Sequence, residues 1–431
     1  MENKRYRHIP YALFDAITFL AQALPKRSIP TWLELLFGAM LTRAGFVTEA
    51  YLAINPRRHW TSYYKWLQNG KWSWVSLGLQ TARLAMRQIP GKRCFVVIDD
   101  TIVFRTSIKA PESRIHHQHG QKANRPDFVR GQNWVSLSLS ISKSWRSLSV
   151  PILSRLPRTT GNGGKLVAAK TLLRACQNLF TQNIVTLLVD SWYMRKSLLL
   201  PAQAMSYQVI GQVRKDTALF QPPPPPSGKR GRPRKYGDKI TPEMLAELPE
   251  ARQKFFIYGA WHVVRYRSAR VLARFLNGQL VRVVWVRMEK EDGSLRQQRL
   301  ILSTDMSLSP ARIIMAYGRR WSIEDMFNQL KNRWGWRETW QQTRQVLHRW
   351  VQILSTAYAL PQLLAHMGGH ELQKLASFSP WRAKQQITAG RVRHGLERIF
   401  RHIDICALWN SKSQIFGPEN CSGNPNKPES S

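Results

Sequence analysis

Cysteine is scarce in this chain, and acidic residues are far outnumbered by basic ones. Four cysteines occur in 431 residues (Cys94, Cys176, Cys406 and Cys421), and no two form a Cys-x-x-Cys pair. That spacing excludes a zinc ribbon and a disulfide scaffold. No apolar run reaches the roughly 18 residues of a membrane span, and the N-terminus lacks the apolar core of a signal peptide. No internal repeat is visible. These absences lead to the expectation of a protein working in the reducing cytoplasm, without a membrane partner.

Acids number 26 against 65 Lys+Arg, a net charge of +39 with the bases spread from end to end. Hydrophobic residues make up 43% and Trp alone contributes 17, so a large core is affordable and the chain is no disordered polycation. A folded, uniformly basic protein of this size is expected to bind nucleic acid, because each phosphate it neutralises releases counterion. A membrane surface is a weaker fit, since no long basic amphipathic helix or lipidation signal is present. The expected place is beside the chromosome.

Five segments follow from pattern changes along the chain. Residues 1–90 read as helical, and Arg57, Arg58, Trp60, Tyr63, Tyr64, Trp66, Trp72 and Trp74 interleave bases with rings. Such a stretch serves equally as a DNA-end contact or as helix core with a basic outer face. From 91 to 215 the pattern turns to strands. Residues 94–98 form a short apolar run, which Asp99 and Asp100 are expected to stop. Residues 133–142 alternate polar and apolar, the mark of a strand with one solvated face. The glycine-rich 161–164 marks a loop, and a helix is expected over 165–180. Residues 184–189 form a second buried strand with Asp190 directly after it, and 207–213 a further one.

Residues 216–305 open with five prolines and a Gly-Arg-Pro segment carrying Arg230, Arg232 and Arg234. The prolines make a stiff spacer, and the basic segment resembles an AT-hook, whose arginines enter a narrow minor groove. It reads otherwise as a basic linker. A β-rich insertion follows, with alternation over 254–257, 261–266, 280–286 and 300–302 and a hairpin turn at 289–293. Residues 306–416 return to helix, and 417–431 read as a polar tail. His116, His117 and His119 invite a zinc reading, but no matching Cys or His lies nearby, so a surface loop is the expectation.

The chemistry is concentrated in residues 317–331. Read as one helix, they place Tyr317, Arg320, Glu324 and Lys331 within an arc of about 60°. Alone, that is also what a solvated face with an i,i+4 pair looks like. The spacing, however, resembles the signature around the third acid of DDE transposases of bacterial insertion sequences: Tyr, two residues, Arg, three residues, Glu, six residues, Lys. Asp190-Ser-Trp-Tyr, the Ser-Thr-Asp ending at Asp305, and Arg320-Trp321 look like the same family, over about residues 90–365.

The resemblance implies an α/β fold: a ribonuclease-H-like mixed sheet flanked by helices, interrupted by a β-rich insertion, with a helical N-terminal domain. It implies a catalytic, metal-binding triad of Asp99, Asp190 and Glu324, with Asp100 the alternative to Asp99, since neighbours on a strand point to opposite faces. Carboxylates alone suit Mg²⁺, with Mn²⁺ able to substitute. Tyr317, Arg320 and Lys331 would hold phosphates of double-stranded DNA at transposon ends, paired on a homodimer. Trp261 and Trp285 are candidates to trap a flipped base or, otherwise, core rings. The implied activity is end cleavage and strand transfer, against the alternatives of a nuclease that only cleaves or a non-catalytic DNA-binding protein.

Overall fold

The computed structural model describes residues 9–117, 126–143, 146–158, 161–225, 234–377 and 386–417. The chain opens with helices α1 (Tyr11–Ala21), α2 (Ile29–Leu41), α3 (Val47–Leu52), α4 (Trp60–Asn69) and α5 (Trp74–Met86). Helix α2 starts with Pro30 in its first turn, where a missing N–H costs nothing. Ser73 caps α5 by accepting from the Ser76 amide.

Strands β1 (Arg93–Phe104), β2 (Arg114–His117) and β4 (Arg146–Arg155) then each pair antiparallel with β3 (Phe128–Lys143). Helix α6 (Gly161–Cys176) leads to β5 (Ile184–Val189), and α7 (Lys196–Ala204) to β6 (Tyr207–Val213). Both β5 and β6 lie parallel to β1, giving the order β4-β3-β1-β5-β6. The inserted elements are β7 (Leu219–Phe220), α8 (Pro242–Glu247), β8 (Ala251–Ile257), β9 (Ala260–Ala273), β10 (Gln279–Met288) and β11 (Arg299–Ser303). They do not stand apart from the core. Strand β11 pairs antiparallel with β6, Leu300 opposite Val213, and β10 and β9 continue the same eleven-stranded sheet.

Helices α9 (Pro310–Gly318) and α10 (Ser322–Arg333) return to the core. Next comes α11 (Arg344–Met367), buried along most of its 24 residues, then α12 (His370–Ala376) and α13 (Ala389–Phe400). Helix α11 is about 36 Å long and packs against α2, α5, α13 and β4, so the first and last helices share one hydrophobic core. Buried Arg349 fastens this body: it donates to the carbonyls of Leu67, Gln68, Gly70 and Trp72, ending α4 against α11. Gly45 and Gly335 meet backbone to backbone nearby, where any Cβ on Gly45 would lie 1.7 Å from the Gly335 carbonyl oxygen. Among the described residues no helix is long and apolar enough to cross a membrane.

Three expectations are corrected here, and one open alternative is decided. The acids do not stop β1, which runs on to Phe104 paired with β3. The alternating strand β3 has no solvated face along 134–141. Its serines are buried, and Ser136 bonds Ser154 while Ser138 bonds Ser149. Polar alternation here signals hydroxyls that satisfy one another, rather than contact with water. The glycine-rich 161–164 begins α6 instead of forming a loop, and that helix ends at Cys176, with a 3₁₀ turn over Gln177–Leu179. The interleaved aromatics near the N-terminus are mostly core: Tyr63 and Trp72 are buried and Trp66 stacks on Trp72, although Trp60 is exposed.

Candidate active site

Parallel pairing brings the first two acids together. Strands β1 and β5 run in register with Val97 opposite Leu188. Two residues further on, Asp99 therefore stands beside Asp190, one strand spacing (about 4.8 Å) away on the same face. The Asp99 carboxyl is pushed up to about 8, first by burial and then by the charge of Asp190. Asp190 is raised too, chiefly by burial. Its Oδ1 accepts from the Trp192 and Tyr193 amides, so it caps the turn after β5 rather than helix α7.

The third acid arrives through the serine seam. Ser149 on β4 bonds Ser322 on α10 at 2.6 Å, and such small side chains let the helix lie close on the sheet. Glu324, in the first turn of α10, then reaches toward β1. Arg320 bridges the two: Nη1 donates to Asp99 Oδ2 at 3.0 Å and Nη2 to Glu324 Oε1 at 2.8 Å. Residues 317–331 are not one continuous helix, because a 3₁₀ turn over Arg319–Trp321 separates α9 from α10. That turn still leaves Arg320 one helical turn before Glu324.

The remaining expected residues fall as follows. Asp100 is taken up elsewhere: both of its oxygens accept from Lys165 Nζ at 3.0 Å, and Oδ1 also from the Tyr193 hydroxyl at 2.9 Å. Tyr317 is buried, with the Arg320 guanidinium 5.9 Å from its ring centre. Lys331 donates to Thr101 Oγ1 on β1 at 2.8 Å. Asp305 pairs with Arg93 at 2.7 Å and ties the start of β1 to the loop after β11. Trp285 is buried in the β-sheet core, and Trp261 is 60% exposed with Lys254 near its ring. Arg234 is exposed, while Arg230 and Arg232 lie outside the described residues. His116 bonds the Gly131 carbonyl from β2 and His117 packs on Phe128; His119 lies outside the described residues.

Sequence reading missed the cationic wall of this site. A cleft of about 940 Å³ beside Asp190 is lined by Arg214, Lys215, Arg296 and Arg299, together with Tyr258 and Trp321. Tyr258 and Trp321 meet edge to face at 5.9 Å. Arg214 and Lys215 directly follow β6, the next strand end after Asp190, and that position was the available signal.

The donor set suits a hard divalent cation: oxygens only, with the charge of Asp190 helping to raise Asp99. Among the described residues no three acid, imidazole or thiol groups converge into a ready cage. The Arg320 guanidinium lies between Asp99 and Glu324.

A parallel-centred mixed sheet in this order, flanked by helices, with one carboxylate within β1 and another at the end of neighbouring β5, is the ribonuclease-H-like nuclease architecture. Residues 20–269, more than half of the chain, match the family profile of DDE superfamily endonucleases, and the chain belongs to that superfamily. The match contains Asp99 and Asp190 and stops before Glu324. Among curated proteins, none matches. Membership makes this an enzyme of nuclease or transposase type whose substrate is DNA and whose chemistry uses divalent metal.

Proposed function

We propose that the chain is a transposase of the insertion-sequence type with the Tyr-Arg-Glu-Lys signature, cutting at the ends of its element and joining the freed 3′-hydroxyl to target DNA. The observation that carries this reading is the Arg320 bridge, which links acids 225 residues apart in sequence at the tip where Asp99 neighbours Asp190. On this reading Asp99, Asp190 and Glu324 hold the divalent cation, Mg²⁺ with Mn²⁺ as substitute. A cation bound there would supply charge stabilisation to the displacement at phosphorus. In each step a water or 3′-hydroxyl oxygen forms a bond to phosphorus, and the bridging 3′-oxygen leaves.

The chain's own contribution is to place DNA. Arg320 exchanges its carboxylates for two oxygens of one phosphate, a bidentate geometry that guanidinium favours. Lys331 holds a second phosphate from its seat on Thr101, and Tyr317 backs Arg320. Arg214, Lys215, Arg296 and Arg299 take the backbone beyond Asp190. Residues 91–215 and 306–416 compose the catalytic core, 216–305 the insertion, and 1–90 the end-binding helices. Arg230, Arg232 and Arg234 add minor-groove contacts. Two copies pair two ends beside the chromosome.

The test is a cleavage and strand-transfer assay on duplexes made from the DNA that flanks the gene on either side. Asp190→Asn and Glu324→Ala are expected to abolish both products with Mg²⁺ or Mn²⁺ while leaving duplex affinity within a few-fold. Cleavage without joined products would reduce the reading to a nuclease. Undiminished cleavage by Glu324→Ala would remove the third acid from the site.

A further inference from the structure

Past the acids, β1 continues into a surface that the reaction described above does not use. Phe104 ends the strand five residues beyond Asp99, about 17 Å along it. There Phe104, Phe128 and Trp340 border a groove of about 830 Å³ and are 43%, 63% and 62% exposed. Three large rings on one surface need a reason, because the fold gains nothing by leaving them in water.

The groove is built rather than accidental. Buried Arg105 donates to Gln132 on β3 and to the Thr339 carbonyl and hydroxyl, and also to the Arg337 carbonyl. It thereby fixes the loop carrying Trp340 against the ends of β1 and β3, and Phe46 braces Trp340 with ring centres 6.0 Å apart. The rim is cationic. Lys109, Arg130 and Arg337 line it, and none forms an ion pair among the described residues. Exposed rings among unpaired cations match an unpaired nucleic-acid strand, whose bases stack while its phosphates meet the charges. A second copy of this chain, at +39, meets like charge at the same rim.

We propose that this groove is a stacking platform for single-stranded DNA, receiving an unpaired strand that extends from the duplex held at the acids. Sequence preference there is weak, since every base presents a face to stack. The site requires only that the substrate be DNA, and it stands independently of strand transfer.

The test uses the full chain and a labelled dT15 oligonucleotide, with a mixed-sequence duplex as control, read by fluorescence anisotropy. The double substitution Trp340→Ala/Phe128→Ala is expected to weaken dT15 binding roughly tenfold or more, with duplex binding changed less than twofold. Trp340→Phe is expected to retain most of the affinity, which separates stacking from a folding defect. Lys109→Ala with Arg337→Ala is expected to lower the log–log salt slope for dT15 by about 0.7 per cation removed. Wild-type dT15 affinity in the double variant overturns the proposal. So does loss of self-association in sedimentation with dT15 binding intact, which would make the groove an interface between copies. Failure of cleavage assays leaves these readouts untouched.

Discussion

Replacing Arg320 with alanine removes the guanidinium that neutralises Asp99 and Glu324 together. The Asp99 contact is short and shielded, with side-chain exposures of 13% and 16%. Above pH 8, where Asp99 is ionised, the attraction across 3 Å at an effective dielectric of about 20 is on the order of 5 kcal/mol. Desolvation of both groups cancels about half of it. The Glu324 arm is more than a third exposed and adds no more than about 0.5 kcal/mol. A loss of about 2–3 kcal/mol is therefore expected in the metal-free protein. At about 2.1 cal/mol/K per residue over 431 residues, the transition entropy is about 0.9 kcal/mol/K if the chain melts as one unit, so the midpoint falls by about 2–3 °C. Divalent cation should reverse the order of effects. With no guanidinium to displace, the variant gains more from Mn²⁺ than the wild type does. The assay is thermal denaturation in EDTA and across a Mn²⁺ titration. Equal midpoints in EDTA, or equal gains from Mn²⁺, would refute the idea that Arg320 occupies the cation's place.

Three further outcomes follow from the same geometry. Because the folded Asp99 carboxyl sits near 8, above its unfolded value of about 3.9, its contribution to metal-free stability is full below about pH 4 and is lost as pH rises through 8. Divalent cation must displace that proton, so affinity should climb toward pH 8 with proton release visible in calorimetry across buffers, and Asp99→Asn should diminish the release. Lys165→Met should cost about 1–2 kcal/mol by stranding Asp100, and adding Asp100→Asn should restore most of it in urea denaturation. Ser322→Leu should force α10 off the serine seam, costing about 1–3 kcal/mol in the same assay and suppressing cleavage more than a hundredfold, since Glu324 rides on that helix.

How much of this could be read beforehand depends on which forces are local. The strands carrying Asp99 and Asp190 were legible because short apolar runs have few other uses, and the Arg320–Glu324 spacing because a helical turn is a local rule. Where β1 would end was not legible. A pair of acids ends a strand unless distant cations receive them, and here Arg320 and Lys165, 221 and 65 residues away, do so. The serine face of β3 misled for a similar reason, because its partners, Ser149 and Ser154, sit on another strand. The 3₁₀ turn at Arg319–Trp321 leaves no mark in composition. Continuity of the insertion with the core rests on β6 meeting β11, a pairing across some ninety residues that periodicity within a window cannot report.

That β6–β11 ladder has a mechanical result. The wall bearing Tyr258 and Arg299 and the wall bearing Asp190 belong to one hydrogen-bonded sheet, so they cannot part like jaws to admit a helix of DNA. On the proposed reading, which places DNA in this cleft, the duplex is the compliant member. Ends rich in easily unstacked pyrimidine–purine steps would then enter at lower cost than stiff A-tracts, and a rigid protein would select among sequences it never touches.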